Sequence, residues 1–221
     1  MKDIFYHGTC HLFDKFDPAK LGSGEGKSKF GHGIYIASKY ASAARYASKA
    51  GKKNNMNDYY VYTVEVPKLE EGAYIISALP VNPDIASRIE KALGEEVPAE
   101  AKEVGKYFRK YVGNLLMGNK KTPENKKGMT LKKMMDKADG AAEDAASKFL
   151  MENGIMYLVW PHNQVPPEDL QEAIDEKGID QIETNRAVLM PEVIRIVQID
   201  KVQTTANNDF IEGSAETIKV F

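Results

Sequence analysis

The sequence predicts an α+β fold, and three observations carry that expectation. Runs rich in β-branched and aromatic residues stand toward the two chain ends, as "YYVYTVEVP" from Tyr59 and "VIRIVQID" from Val193 show. Between them, over about 80–153, apolar residues recur at helical spacing. The two patterns are segregated, whereas a regular βαβ fold would alternate them. The 221 residues are 43% hydrophobic and 28% charged, enough to bury a core. We expect a single domain over 1–221 with a mainly helical insertion at about 80–153.

Residues 4–6 read as a short strand ending at His7-Gly8-Thr9. The stretch "LFDKFDPAKLGSGEGKSK" is loop-like, with Phe13 and Phe16 as apolar anchors. "GIYIA" is a second strand, and "KYASAARYASKA" places Ala41, Ala44 and Ala47 at helical spacing beside Tyr40 and Tyr46. "YYVYTVEVP" is stopped by Pro67, which cannot donate to a sheet ladder. "DIASRIEKALG" opens on an acid and closes on Gly94, a helix stop. "AEAKEVGKYFRKYVGNLLMG" gathers its apolar residues on one helical face, "KTPENKKG" is a polar connection, and "AAEDAASKFLMENG" ends in an Asn-Gly stop. "IMYLVW" returns to strand, "PPEDLQEAIDEKG" has a proline-acid helix start, and "RAVLM" and "VIRIVQID" are closing strands parted by Pro191-Glu192.

The net charge of −2 gives no global pull toward nucleic acid or membrane. It hides a division: residues 102–137 hold eleven Lys/Arg against Glu103, Glu124 and Asp136, while residues 168–192 hold eight acids against Lys177 and Arg186. A basic block can steer a nucleic acid or simply be a solvated helical face. Tyr107, Phe108 and Tyr111 interleave it at a spacing that suits a helix as well as base stacking, and we expect these helices to cap the sheet. Met1-Lys2-Asp3 is followed by no apolar signal core, and no stretch approaches the roughly 20 apolar residues of a membrane span. Cys10 is the only cysteine, so no internal disulfide can form. A cytoplasmic protein without membrane attachment is the expectation.

The glycine-rich "GSGEGKSKFGHGIYIA" ends one segment like an ATP-binding loop, at Gly26-Lys27-Ser28. Such a loop needs a glycine five residues before Gly26, where Leu21 stands, and a strand before and helix after, which are both missing. Gly22, Gly24 and Gly26 likewise miss the dinucleotide fingerprint. Gly31 and Gly33 remain suited to a close backbone approach to a flat ligand, or to plain turn chemistry.

"FYHGT", "GSGEG" with "FGHGIYIA", "ASAARYA", "YTVEVP", "AASKFLMENGIMYL" and an Asn before a late strand occur in that order. Together, over about residues 4–197, they resemble the ADP-ribosyltransferase superfamily, in particular the ADP-ribosyltransferase domains of phage and mobile-element polyvalent proteins. The resemblance implies a split, strongly bent antiparallel sheet core. It implies NAD as co-substrate, release of nicotinamide, and mono-ADP-ribosylation of a macromolecular acceptor, a protein in the first instance, by a phage or bacterial effector. It assigns His7 a ribose hydroxyl, Gly8 the nicotinamide amide through its backbone, and Thr9 a place near the nucleotide. Tyr35 would stack on the nicotinamide with Tyr46 behind or beside it, since an aromatic face suits a cationic ring. For the third catalytic position the resemblance leaves two residues open, Glu183 and Asn185. Arg186 stands where related enzymes carry Glu, and Glu25 in the glycine loop is a further carboxylate.

Other chemistries fare less well. Among His7, Cys10, His11 and His32 the lone Cys10 has no second cysteine at C-x₂₋₄-C spacing, so no metal is expected. Cys10 with His32 makes a thin case for a nucleophile, and His162 in "WPHNQ" reads as structural beside the acceptor side. Two alternatives stay in view: an NAD- or nucleotide-binding module that has lost transfer, and a nucleic-acid-binding or nucleic-acid-modifying protein using residues 102–137.

Overall fold

A computed structural model describes residues 2–18, 30–119 and 130–221. Its strands are β1 (Lys2–Thr9), β2 (Ile34–Ala37), β3 (Tyr59–Pro67), β4 (Tyr74–Ile76), β5 (Tyr157–Pro161), β6 (Thr184–Val188), β7 (Arg195–Val202) and β8 (Glu216–Val220). They form one sheet in the order β4-β5-β6-β2-β1-β3-β7-β8. Every neighbouring pair is antiparallel except β4 and β5. The helices are α1 (Tyr40–Lys53), α2 (Pro83–Leu93), α3 (Ala99–Lys102), α4 (Gly105–Leu116), α5 (Leu131–Asp136), α6 (Gly140–Glu152) and α7 (Pro167–Lys177). The α+β expectation holds, with the helical block α2–α6 between β4 and β5.

Local chemistry sets the helix ends. The Asn82 side chain caps α2 by accepting from the Asp84 N–H at 2.8 Å, Pro83 stands just inside, and Gly94 closes it at φ +68°. Asp139 caps α6 by accepting from the Ala142 N–H at 2.8 Å. The single helix expected over 99–118 is instead two. Val104 is extended, and α4 restarts at Gly105, where a Cβ would lie 2.4 Å from the Ile76 carbonyl. The chain breaks there so that its backbone can press against the end of β4.

The sheet is split. β1 pairs with β3 over eight residues but with β2 only through Tyr6↔Ala37. The two halves fold toward each other over a shared core of Phe5, Ile36, Tyr62, Val64, Val159 and Ile199. Two cross-links fix that bend: the Tyr157 hydroxyl donates to the Pro67 carbonyl at 2.8 Å, and Arg186 bonds Asp3 at 3.0 Å. A fully buried side chain of this size contributes about 1.5–3 kcal/mol, so the apolar face dominates the closure.

The other face of the sheet carries the helices. Phe108, Tyr111 and Val112 of α4 and Leu150 of α6 pack on Leu158 and Ala187. This settles part of the basic segment as structure: Phe108 and Tyr111 are core, Arg109 pairs with Glu143 in the interior, Lys102 with Glu90, and Lys110 donates to the Asp136 carbonyl. The polar connection at 121–128 and Glu124 lie outside the described residues, as do the "GSGEG" glycines and Glu25.

Candidate functional site

The split begins where β1 carries His7. On β1, Phe5 and His7 face the inter-sheet core, while Tyr6 and Gly8 face α1. The His7 ring lies among Phe13, Phe16 and Tyr62, with centroids 6.2, 5.1 and 6.1 Å away. Its Nδ1 sits 2.8 Å from the Tyr35 carbonyl oxygen, which can only accept, so Nδ1 holds the proton. Burial pushes the imidazole below its ordinary value, against a smaller upward pull from that hydrogen bond. His7 is therefore a neutral ring whose Nε2 is its acceptor.

Gly8 has a packing reason to be glycine. A Cβ there would lie 1.8 Å from the Ala43 carbonyl oxygen, because α1 crosses directly over it. Thr9 Oγ1 accepts from the His11 N–H at 3.1 Å and so shapes the turn after β1. Gly31 sits at φ +99°, and a Cβ would meet Leu158 Cδ1 at 2.4 Å. A Cβ on Gly33 would meet the Val188 carbonyl at 2.8 Å. The first needs a left-handed backbone, and both lie hard against the sheet.

Tyr35 and Tyr46 differ in availability. The Tyr35 hydroxyl donates to the Gly31 carbonyl at 2.8 Å and accepts from the Phe30 N–H at 3.1 Å. Its ring is 5.4 Å from Trp160, on which Phe30 stacks at 4.1 Å. Tyr35 thus staples the end of the glycine-rich segment, and His32 anchors the next residues to α6 through Ser147 and Asp144. Tyr46, by contrast, is 59% exposed. The Tyr46 hydroxyl is near enough to add to the burial-driven rise of the Tyr35 hydroxyl.

Tyr46 shares a pocket of about 260 Å³ with Ser42, Arg45, Lys49, His162 and Asn185. The first four residues form one face of α1, at i, i+3, i+4 and i+7 spacing. Asn185 and Trp160 are register partners on β6 and β5, and the His162 N–H donates to the Glu183 carbonyl at 2.8 Å. The strand pairing therefore brings His162 beside Asn185. Asn185 is only 8% exposed, yet its Oδ1 has no partner among the described residues, and neither does His162 Nδ1. Buried polar atoms are normally bonded, so two unpartnered ones on residues that line one pocket make it the candidate site.

The two residues left open for the third position separate here. Glu183 is two residues before Asn185 on the same side, but it is exposed and ion-paired with Lys39 at the start of α1. Asn185 alone of the two lines the pocket. Arg186 turns to the opposite face, over the Phe5 ring at 4.2 Å and against Asp3. His162 and the cationic α1 face were not singled out for this site by their local sequence; the i, i+3, i+4, i+7 spacing was the signal available for the latter.

Among the described residues no three His, Cys, Asp or Glu side chains cluster to hold a metal, and no helix is long and apolar enough to cross a membrane. Cys10 is buried. Residues 2–166, well over half of the chain, match the model of a family described as ADP-ribosyltransferase in polyvalent proteins. That stretch ends before β6, so the placing of Asn185 and Glu183 rests on the sheet. No curated protein matches the sequence closely.

Proposed function

The chain belongs to the ADP-ribosyltransferases of polyvalent proteins, an NAD-dependent transferase family, and from that premise we propose that it moves ADP-ribose from NAD to a protein acceptor and releases nicotinamide. The observation that carries the siting of this reaction is the split after Tyr6↔Ala37. In this reading the gap beyond that pair is a slot between His7 and the Tyr46–Asn185 pocket, and one bent dinucleotide spans the two.

In this reading His7 Nε2 accepts from a ribose hydroxyl. The exposed ring of Tyr46 takes the nicotinamide, whose positive charge suits an aromatic face. Tyr35 acts through position: it holds residues 30–31 in place and stands beside that ring. Gly8 and Thr9 supply backbone at the mouth of the slot, and Gly31 and Gly33 keep the opposite wall close. Arg45 and Lys49 match the negative charge of the dinucleotide. Asn185 Oδ1 accepts from the hydroxyl of the ribose whose C1′–N bond breaks. As nicotinamide leaves with the bonding pair, charge builds on that ribose, and fixed dipoles stabilise it without reorganising.

The test is nicotinamide release from NAD by the wild type beside His7→Ala, Tyr46→Ala, Tyr35→Phe, Asn185→Ala and Glu183→Gln, with calorimetric NAD binding on each. The reading expects losses at His7, Tyr46 and Asn185. NAD binding without release by the wild type, with acceptor proteins present, would instead identify a module that has lost transfer.

A further inference from the structure

We propose that His162 is the general base of the reaction, taking the proton of the acceptor nucleophile. The inference rests on the function proposed above. If Asn185 fills the third position, no carboxylate among the described residues lines the pocket, and an amide cannot take up a proton at neutral pH. Of the six lining residues, Ser42 and Asn185 are not bases, and Arg45, Lys49 and Tyr46 are side-chain types that hold their protons at neutral pH. His162 is the one side-chain type among them that exchanges a proton there.

Its placement supports the role. The backbone N–H of His162 is fixed to the Glu183 carbonyl at 2.8 Å, two register positions along from the Trp160↔Asn185 pair, and the side chain lines the pocket. Its Nδ1 is buried without a partner among the described residues, which leaves Nε2 as the nitrogen to meet an acceptor. The charged groups around it are Arg45 and Lys49 from α1, and Glu183, itself paired with Lys39, from the end of β6. The acceptor's lone pair forms the new bond to C1′, the C1′–N pair leaves with nicotinamide, and the acceptor proton passes to His162 Nε2. Asn185 orients the sugar, and His162 activates what attacks it.

Water serves as the probe acceptor, and the full chain is assayed for nicotinamide release and for NAD binding through the fluorescence of Trp160, the single tryptophan. His162→Ala is expected to lower kcat on the order of 100-fold and leave NAD affinity within about threefold. Added imidazole should restore part of the rate in proportion to its unprotonated form, which a structural role would not produce. His162→Gln, which keeps hydrogen bonding and fills the space, should be as slow and gain nothing from imidazole. A rate within about threefold of wild type in either variant, or an Ala variant that binds NAD but ignores imidazole, overturns the proposal. If His162→Ala does not fold, the rate of His162→Gln decides alone. A wild type that binds NAD and releases nothing sinks the transfer reading itself, and this inference with it.

Discussion

Asn114 in the helical block and Asn185 on β6 are the same residue at similar burial, 2% and 8% exposed, yet their surroundings are opposite. The Asn114 amide donates to the carbonyls of Lys110, Met134 and Lys137 at 3.0, 3.0 and 2.7 Å, and its oxygen accepts from Asn119 at 3.1 Å. It ties α4 to α5. Asn185 Oδ1 has no partner among the described residues, and the residue lines a pocket. Asp200, beneath the start of α1, repeats the Asn114 case: Tyr40, Gln198 and Thr217 satisfy both of its oxygens. A buried polar group that is fully bonded explains itself by the fold. One left open on a residue that lines a pocket is a candidate ligand contact.

That contrast can be broken by two substitutions with opposite readouts. Asn185→Ala should lower nicotinamide release on the order of 100-fold, about 2.7 kcal/mol of barrier, while the melting temperature stays within a degree or two. Asn114→Ala should leave the rate per folded molecule unchanged and strand the Met134 and Lys137 carbonyls. Each buried unsatisfied group costs about 1–3 kcal/mol, so a total near 3 kcal/mol lowers the melting temperature by roughly 6–12 °C for a chain of this size. If both variants lose stability and neither loses rate selectively, Asn185 is an ordinary core asparagine.

Much of the architecture was legible because it is local. "YYVYTVEVP" became β3 residue for residue, since β-branched and aromatic residues with a terminal Pro leave little choice. Helix stops at Gly94 and Asn153-Gly154 were carried by backbone chemistry. What stayed hidden depends on distant partners. β4 is three residues long and takes its place by pairing with β5. β8 is exposed along its whole length and buries neither face. Gly8 read as a ligand contact in "HGT", while its demand for a missing Cβ comes from Ala43, far along the chain. Glu183 and Asn185 share a strand face, so alternation could not divide them; the pocket formed by α1 against β5 and β6 does. His162 joins the site only through the register of those strands.

A smaller effect tests the His7 side of the slot. Its imidazole is held below the ordinary value, chiefly by burial, so the folded state binds the proton less readily than the unfolded chain. The contribution to stability is then fully present above the unfolded value of about 6.5 and declines as pH falls below it toward the folded value. One such group gives a slope of at most about 1.4 kcal/mol per pH unit. Denaturant unfolding between pH 5 and 7.5 should show this decline in the wild type and a shallower one in His7→Gln. Equal slopes would mean that His7 is solvated and free to protonate, which removes the fixed Nδ1–H tautomer on which its ribose contact rests.

The smallest effect expected is the most discriminating, because it falls on the other residue at the third position. Glu183 and Lys39 are 54% and 47% exposed at the side chain, and an exposed pair of this kind contributes at most about 1 kcal/mol. Glu183→Gln should therefore leave stability within about 0.5 kcal/mol and nicotinamide release within about twofold of wild type. Lys39→Ala provides the control, since it frees the carboxylate without removing it. If release rises when Lys39 is removed and collapses when Glu183 is amidated, the carboxylate swings into the pocket once NAD is bound. Asn185 would then be only its neighbour on the strand, and the division between satisfied and open asparagines would have pointed one turn of the pleat too deep.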